Sequence, residues 1–348
     1  MKQHSRVTIK DVASRAGVSV ATVSKVINNR YGVAEETYQR VQAVIDELGY
    51  ETSLVAQSLR SHQTNVIGIL VVDLEPFSTE LLKGAAKGMH DTGFELVVYT
   101  ASGLGKDTNG WERRYLSRIS GTLTDGVILV APSVVDAPHT GPLVAVDPHL
   151  GASHLPSVDA DNLKGARMAT EYLIGLGHRR IGFLAGRSDL ESARLREQGY
   201  RDALADAGIP FDPNLVQAGE FRLDESAAAA ARLLDQKPRP TAIFAANDLS
   251  AIETMRVARE RGLSIPEDLS VVGFDNIPEA AQTDPPLTTV DQSIQRMGLE
   301  AVRMLVSLIR GEAATPLRVT LPTELVVRHS CSPPRAERPR RRARSAAA

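Results

Sequence analysis

Residues 8–28 read T-I-K-D-V-A-S-R-A-G-V-S-V-A-T-V-S-K-V-I-N, and this stretch decides the first part of the fold. Thr8 stands three residues before Asp11, the spacing of a capping box with Asp in place of Glu or Gln, so a helix opens there. Val12, Ala13 and Ala16 continue it, and Gly17 permits the left-handed turn that ends it. Ser19 can cap a second helix from Val20 to about Ile27, whose Val23, Val26 and Ile27 fall at i, i+3 and i+4. Two short helices joined by A-G-V-S have helix-turn-helix phrasing, in which the second helix lies in a DNA major groove. A third amphipathic helix follows, with Val41, Val44, Ile45 and Leu48 on one face and Gly49 just past its end. A generic three-helix core is the plainer alternative.

The whole chain has 348 residues, 43% hydrophobic and 24% charged, with a formal net charge of −2. Those fractions exclude disordered, collagen-like and membrane-embedded classes, and the length allows about two to three domains. The near-zero charge hides opposed segments. Residues 1–30 carry six Lys and Arg against Asp11 alone, and residues 335–348 carry six Arg against Glu337. The acidic excess therefore sits in the body between, the distribution expected when one end meets phosphate and the body does not. Cys331 is the only cysteine, so no intramolecular disulfide and no Cys/His zinc motif is expected. The opening MKQHSRVTIKDVAS has no apolar run like a signal peptide, and the apolar run 66–72 is too short to span a bilayer. A cytoplasmic location without membrane contact is the expectation.

From Asn65 onward the pattern changes to apolar strands alternating with helices. Strands are expected at 66–72, 96–100, 126–130, 143–146, 181–184, 242–245 and 270–273. Helices are expected at 79–91, 163–176, 192–207, 224–234, 249–261 and 293–310. Apolar strands buried on both faces and joined by helices make a doubly wound α/β architecture, here two series divided near residues 150–165. Several strands end in a carboxylate or amide: Asp73, Asp147, Asn247-Asp248 and Asp275-Asn276. Ligands of open α/β sheets bind beyond the carboxyl ends of strands, and acceptors clustered there suit a hydroxyl-rich ligand. For Asp248, capping of the next helix is the preferred reading. No phosphate-loop, H-E-x-x-H or G-x-S-x-G motif is present, and Gly103-Leu104-Gly105 lacks the third glycine of a dinucleotide fingerprint. Hence no catalytic residue, metal ligand or cofactor is expected.

The head motif, with E-L-G-Y and S-L-V-A-Q-S-L after it, resembles the head of lactose/galactose-repressor (LacI/GalR) transcription factors. The resemblance extends through S-V-D-A-D-N, L-G-H-R-R-I-G-F-L-A-G, S-A-R-L-R-E-Q-G-Y, A-N-D, V-V-G-F-D and P-P-L-T-T-V-D-Q. It implies a small all-α helix-turn-helix head plus an α/β two-lobed periplasmic-binding-protein-like (type I) body that dimerises. The implied divisions are residues 1–50 for DNA binding, 51–62 as a hinge helix and 63–330 for effector binding. Residues 331–348 read as an Arg-rich disordered tail by composition. Base reading is implied for Val20 and Ala21, whose side chains offer only apolar contact, for instance to thymine methyls. Thr22, Ser24 and Asn28 would make phosphate contacts or caps, beside the capping hydroxyls of Thr8 and Ser19. Lys25 stands where the family usually has Arg and lacks the bidentate fork. Ala34 replaces the usual polar cap of the third helix.

In the hinge, Ser53 is a capping candidate, Ala56 lies on the apolar face, and Leu59 matches the family's minor-groove wedge. Thr52 stands where the family often has Pro. The family's sugar-contacting positions fall on Asp147, Arg196, Asn247 and Asp275, with Phe221 as an aromatic platform and Gln292 as a polar wall. Asp73 and Phe77 line the first lobe, core packing being the rival for Phe77, and Trp111 is either a sugar platform or helix packing. The implied activity is repression of a palindromic double-stranded DNA operator by a homodimer that a small-molecule effector, a sugar or oligosaccharide, releases. A purine-like corepressor is the other effector class. A sugar-binding module or an α/β sugar enzyme without regulatory role are the other functions. Leu59→Ala is expected to weaken specific operator binding far more than nonspecific DNA binding. Mobility shifts on operator and scrambled duplexes check this, and equal losses would remove the wedge.

Overall fold

The computed structural model describes residues 7–27, 31–50, 63–101, 111–119, 123–132, 139, 141–149, 155–313 and 315–335. Asn28, Ser53, Ala56, Leu59, Gly103-Leu104-Gly105 and most of the tail therefore lie outside the described residues. The chain forms two units, residues 1–64 and 65–348.

The first unit holds α1 (Ile9–Ala16), α2 (Val20–Ile27) and α3 (Glu35–Leu48) around buried Val12, Ala13, Ala16, Val23, Val26, Val41 and Val44. Asp11 returns its carboxylate to Thr8, accepting from the backbone N at 2.8 Å and the hydroxyl at 2.6 Å. These two donors hold the Asp11 carboxyl below its ordinary range. Gly17 (φ 67°) closes α1, and Ser19 caps α2 by accepting from Thr22 N at 3.1 Å. Ala34 gives α3 no side-chain cap, as its methyl dictates.

The second unit contains two six-stranded sheets. The first has the order β11-β5-β4-β3-β1-β2, all parallel, from β1 (Val66–Val71), β2 (Glu95–Thr100), β3 (Gly126–Val130), β4 (Leu143–Val146), β5 (Ser157–Ala160) and β11 (Arg318–Leu321). The second has the order β12-β10-β9-β8-β6-β7, from β6 (Ile181–Ala185), β7 (Val216–Ala218), β8 (Ala242–Ala245), β9 (Ser270–Asp275), β10 (Thr288–Asp291) and β12 (Glu324–Val326). Only β12 runs antiparallel there, against β10. Every residue of β1, β3, β4, β8 and β9 is buried, which explains their near-continuous apolar sequence. The helices are α4 (Pro76–Gly88), α5 (Trp111–Ile119), α6 (Asn162–Gly175), α7 (Glu191–Asp206), α8 (Leu223–Leu234), α9 (Asp248–Glu260) and α10 (Ile294–Ile309).

The chain passes between the sheets three times: from β5 to α6, from β10 to α10, and from β11 to β12. The first crossing falls inside the expected division. The other two do not follow from two consecutive series, because α10 returns to pack on α4, β3, β4 and β5 of the first lobe. The strands missed from sequence, β5, β7, β10, β11 and β12, are short and carry polar or charged residues, so they lack the apolar run that marks β4 and β8. Trp111 is 2% exposed and packs edge-on against Tyr115, ring centroids 5.6 Å apart, so it belongs to the first-lobe core. The described start of the tail is also anchored: Ser332 O accepts from the His178 ring at 3.0 Å, and Arg335 pairs with Asp268 at 2.6 Å. Composition pointed to disorder from 331, but side-chain partners fix residues 331–335 on the second lobe.

Among the described residues, no helix is long and apolar enough to cross a membrane. Helices α4 and α10 meet at glycines: a Cβ on Gly298 would lie 2.1 Å from Leu81 O. Gly298→Ala must therefore separate the two helices and is expected to cost about 1–3 kcal/mol. Gly175→Ala has open space around the new methyl and serves as the control. Urea unfolding of both variants checks the contrast.

Candidate functional site

In the head, α2 buries Val23 and Val26 and turns Val20, Ala21 and Lys25 to solvent. Thr22 and Ser24 are half-buried, and Thr8 and Ser19 are exposed at the helix starts, both engaged in caps. Val20, 39% exposed, is an apolar side chain that the head core does not use. The exposed face thus offers two apolar groups and one ammonium, a surface fit for groove contact but sparse in directional donors.

In the body, the candidate cleft is built around Arg196 on α7. Ser192, Arg196 and Tyr200 recur at i, i+4 and i+8, and this face of the helix is turned inward. Arg196 is 3% exposed, and its guanidinium carbon lies 3.8 Å from the centroid of Phe274. Its Nε donates to Asn162 Oδ1 at 2.8 Å, and Nη1 donates to Ala246 O at 2.5 Å and Asp275 Oδ1 at 3.3 Å. Nη2 donates to Gln292 Oε1 at 3.3 Å, while Gln292 Nε2 donates to Asp275 Oδ1 at 2.5 Å. Four of the five guanidinium N–H groups are thereby engaged. Arg196, expected as a sugar contact, is a buried hub with one N–H left over among the described residues.

Around the hub, Phe221 lies 5.9 Å from the Arg196 guanidinium carbon and packs flat on Gly186, where a Cβ would meet its ring at 2.0 Å. Asp147, beyond β4 of the first sheet, accepts from Ser192 Oγ of the second lobe at 2.9 Å. Burial pushes the Asp147 carboxyl up, opposed by Arg196 and Ser192. Burial also raises Asp275 well above the ordinary range; Arg196 opposes this, and the charges of Asp248, Glu75 and Asp147 add to it. Asp147, Phe221, Asp275, Asn276 and Ser293 all have positive φ, so strained backbone concentrates where the strands end.

The structure thus brings together Asp147, Arg196, Phe221, Asp275 and Gln292. Asn247 is there too, since its neighbour Ala246 binds Arg196, but its Oδ1 caps α9 by accepting from Ser250 N at 3.1 Å. The cap expected of Asp248 is made by Asn247. Asp248 instead points inward, its carboxylate accepting from Ile277 N at 2.9 Å and Thr289 Oγ1 at 2.5 Å. The reason is geometric: the last residue before the helix has the extended backbone that presents a side chain to the N–H groups of the first turn. Asp73 is exposed beyond β1, and Phe77 is half-buried against the core. Sequence reasoning missed Glu75, Asn162, Ser192 and Phe274. Ser192 was signalled by its i−4 spacing from Arg196, and Asn162 by its place directly after a strand end; Glu75 and Phe274 carried no comparable signal. Among the described residues, no group of three His, Cys, Asp or Glu is placed to hold a metal ion.

Comparison with known proteins covers both units. The signature of bacterial regulatory proteins, lacI family, matches residues 8–53, and a periplasmic binding protein-like domain matches residues 170–331. The HTH-type transcriptional regulator CelR of Thermobifida fusca is 37% identical over 346 residues, covering 95% of this chain and 100% of that protein. The lac repressor dimer bound to operator and the anti-inducer ONPF superposes with a TM-score of 0.81 at 29% identity, over 94% of this chain and 100% of that one. A CelR–cellobiose complex superposes with a TM-score of 0.70 at 36% identity, over 93% and 100%. A helix-turn-helix head on such a two-sheet body defines a ligand-responsive, DNA-binding transcriptional repressor. The chain belongs to the lacI family of bacterial regulatory proteins.

Asp248 supplies a test of the second-lobe geometry. Burial raises its carboxyl above the ordinary value, so the folded state holds the proton more firmly than the unfolded chain does. Its stabilising contribution is then complete below about pH 4 and falls as the pH rises. The stability of wild type relative to Asp248→Asn is expected to fall as the pH rises from about 4.5 to about 7.5. Urea midpoints across that range measure it.

Proposed function

We propose that the protein is a cytoplasmic, homodimeric repressor that binds a near-palindromic operator and is released by a sugar-type effector held between its two lobes. The observation that carries this reading is the buried Arg196 hub, which gathers Asn162, Asp275, Gln292 and two aromatic rings at the carboxyl ends of β8 and β9. Such an arrangement binds and orients a ligand.

The remaining hydrogen-bonding capacity suits hydroxyl groups. Arg196 retains one N–H, Asn247 keeps its Nδ2 once Oδ1 is used as a cap, and Asp275 keeps Oδ2 as an acceptor. Phe221 supplies an apolar face, and Asp147 an acceptor from the first lobe. Asp73 and Phe77 extend that side. A relative that covers almost the same length, CelR, is described in complex with cellobiose, which supports a saccharide here.

Release follows from the lobe geometry. Asp147–Ser192 at 2.9 Å and Arg318–Glu191 at 3.4 Å join the first lobe to the start of α7, whose next turn carries Arg196. A ligand that binds one lobe arrangement better than the other shifts both the contacts and the dimer they shape, and with them operator affinity. On the DNA side, Val20 and Ala21 read base edges, Lys25 reads a single acceptor, and Thr8, Ser19, Thr22, Ser24 and Asn28 position the helix. The head, hinge and body divide at residues 50 and 62.

Fluorescence anisotropy on a labelled palindromic operator tests this at moderate salt. Cellobiose, xylobiose, glucose and hypoxanthine are added in turn. One saccharide is expected to raise the operator Kd by about 5–150-fold, and Arg196→Ala or Asp275→Ala is expected to lose that response. No sequence-preferring DNA binding, or a response to hypoxanthine alone, would replace the reading.

A further inference from the structure

We propose that Gly186 is a positioning residue of the effector site: its lack of a Cβ seats the Phe221 ring, and a side chain there would unseat it. The proposal rests on the saccharide reading of the same site. Gly186 directly follows β6 and is buried, while Phe221 is half-buried. A Cβ on Gly186 would lie 2.0 Å from Phe221 Cζ and 2.4 Å from both Cε atoms. Those distances put the methyl over the ring face, where ordinary carbon contact needs about 3.5 Å.

Of the parts that meet here, the ring is the one free to yield. Strand β6 lies between β8 and β7. Leu184 O accepts from Ala246 N at 2.9 Å and Ala185 O accepts from Gly219 N at 2.8 Å, so the end of β6 is held on both edges. Gly219 is fixed in turn. A Cβ there would meet Leu184 Cδ2 at 2.2 Å, and its carbonyl accepts from Arg222 N at 3.0 Å and Ser226 Oγ at 3.1 Å. Glu220 and Phe221 have φ of 55° and 59°, in the small left-handed region that leaves a side-chain-bearing residue little room to turn. A methyl at position 186 is therefore relieved by displacing the ring, by about 1.5 Å.

That displacement matters because the same strand end fixes the hub. Ala246, bonded to Leu184, gives its carbonyl to Arg196 Nη1, and the guanidinium carbon lies 5.9 Å from the Phe221 ring centroid. Two successive β6 carbonyls thus set the spacing between the aromatic face and the polar groups. A binding constellation tolerates about 0.5 Å of misplacement, so a ring displaced by more than that no longer meets a ligand held by the hub.

The test is titration calorimetry of the full chain with cellobiose and with xylobiose. Phe221→Ala and Gly186→Ala are each expected to weaken binding of the responding disaccharide by about tenfold, since both forfeit the aromatic face. In Gly186→Ala/Phe221→Ala the losses should not add. The methyl then loses all three of its nearest contacts, and the double variant should bind as Phe221→Ala does. Gly175→Ala, with open space around its methyl, should bind as wild type. A Gly186→Ala chain that binds as wild type, or a double variant that shows the product of the two losses, would overturn the inference while leaving the saccharide reading intact. The double variant set against Phe221→Ala decides the matter even where Gly186→Ala alone does not fold. Heat from neither disaccharide with the wild type would overturn the saccharide reading, and this inference with it.

Discussion

A guanidinium that is almost wholly withdrawn from water organises the body of this repressor. Desolvating an ion costs on the order of several kcal/mol unless hydrogen bonds and an opposite charge replace the lost water. Arg196 obtains them from Asn162, Ala246, Asp275 and Gln292, and stacks on Phe274. Each partner sits at a junction of the chain: Ala246 leaves β8, Asp275 ends β9, Gln292 follows β10, and Asn162 begins the helix after the first crossing. The requirement to satisfy one buried charge therefore fixes four strand ends at once. Removing Arg196 would leave Asp275 buried beside other acids, so the hub is structural before any ligand arrives.

The crossings explain how such a hub can report to the rest of the body. Gln292 lies on the segment that carries the chain back to the first lobe, where α10 and α4 approach through Gly84 and Gly298. Helix α7 holds Arg196 and, one turn earlier, the Ser192 hydroxyl that donates to Asp147 across the lobes. In the proposed reading, ligand contact and lobe contact are thus made by one rigid element, and neither shifts without the other. Two discrete lobe arrangements that differ in these contacts are what a population shift requires.

How much of this was legible follows physical lines. Strands β1, β3, β4, β8 and β9 were visible because burial on both faces leaves a run of apolar residues. Strands such as β5 (S-V-D-A) and β10 (T-T-V-D) were invisible because polar residues interrupt their short apolar pattern. Helix α10 was correctly placed along the chain but assigned to the wrong lobe, since amphipathicity states that a face is buried and not against what. The acids at strand ends were found because their position alone carries meaning. The exchange of roles between Asn247 and Asp248 was not found, because it depends on one residue of backbone phase. Asn162 and Phe274 escaped for a different reason: they serve Arg196, and a partner cannot be read before the group it satisfies is known to be buried.

Charge separates the two tasks of the molecule. The head has a basic excess and the body an acidic one, so electrostatic attraction to DNA acts through the head while the body is repelled. That attraction carries no sequence information, and the proposed base readers add little: Val20 and Ala21 have no hydrogen-bonding side-chain groups, and Lys25 has no fork. Discrimination by a single head must therefore be modest. In the proposed dimer it is compounded, because two half-sites must match together and at the correct spacing. A repressor so constructed depends on its dimer geometry for specificity more than on any one base contact. In the proposed mechanism, that is the quantity a ligand between the lobes changes.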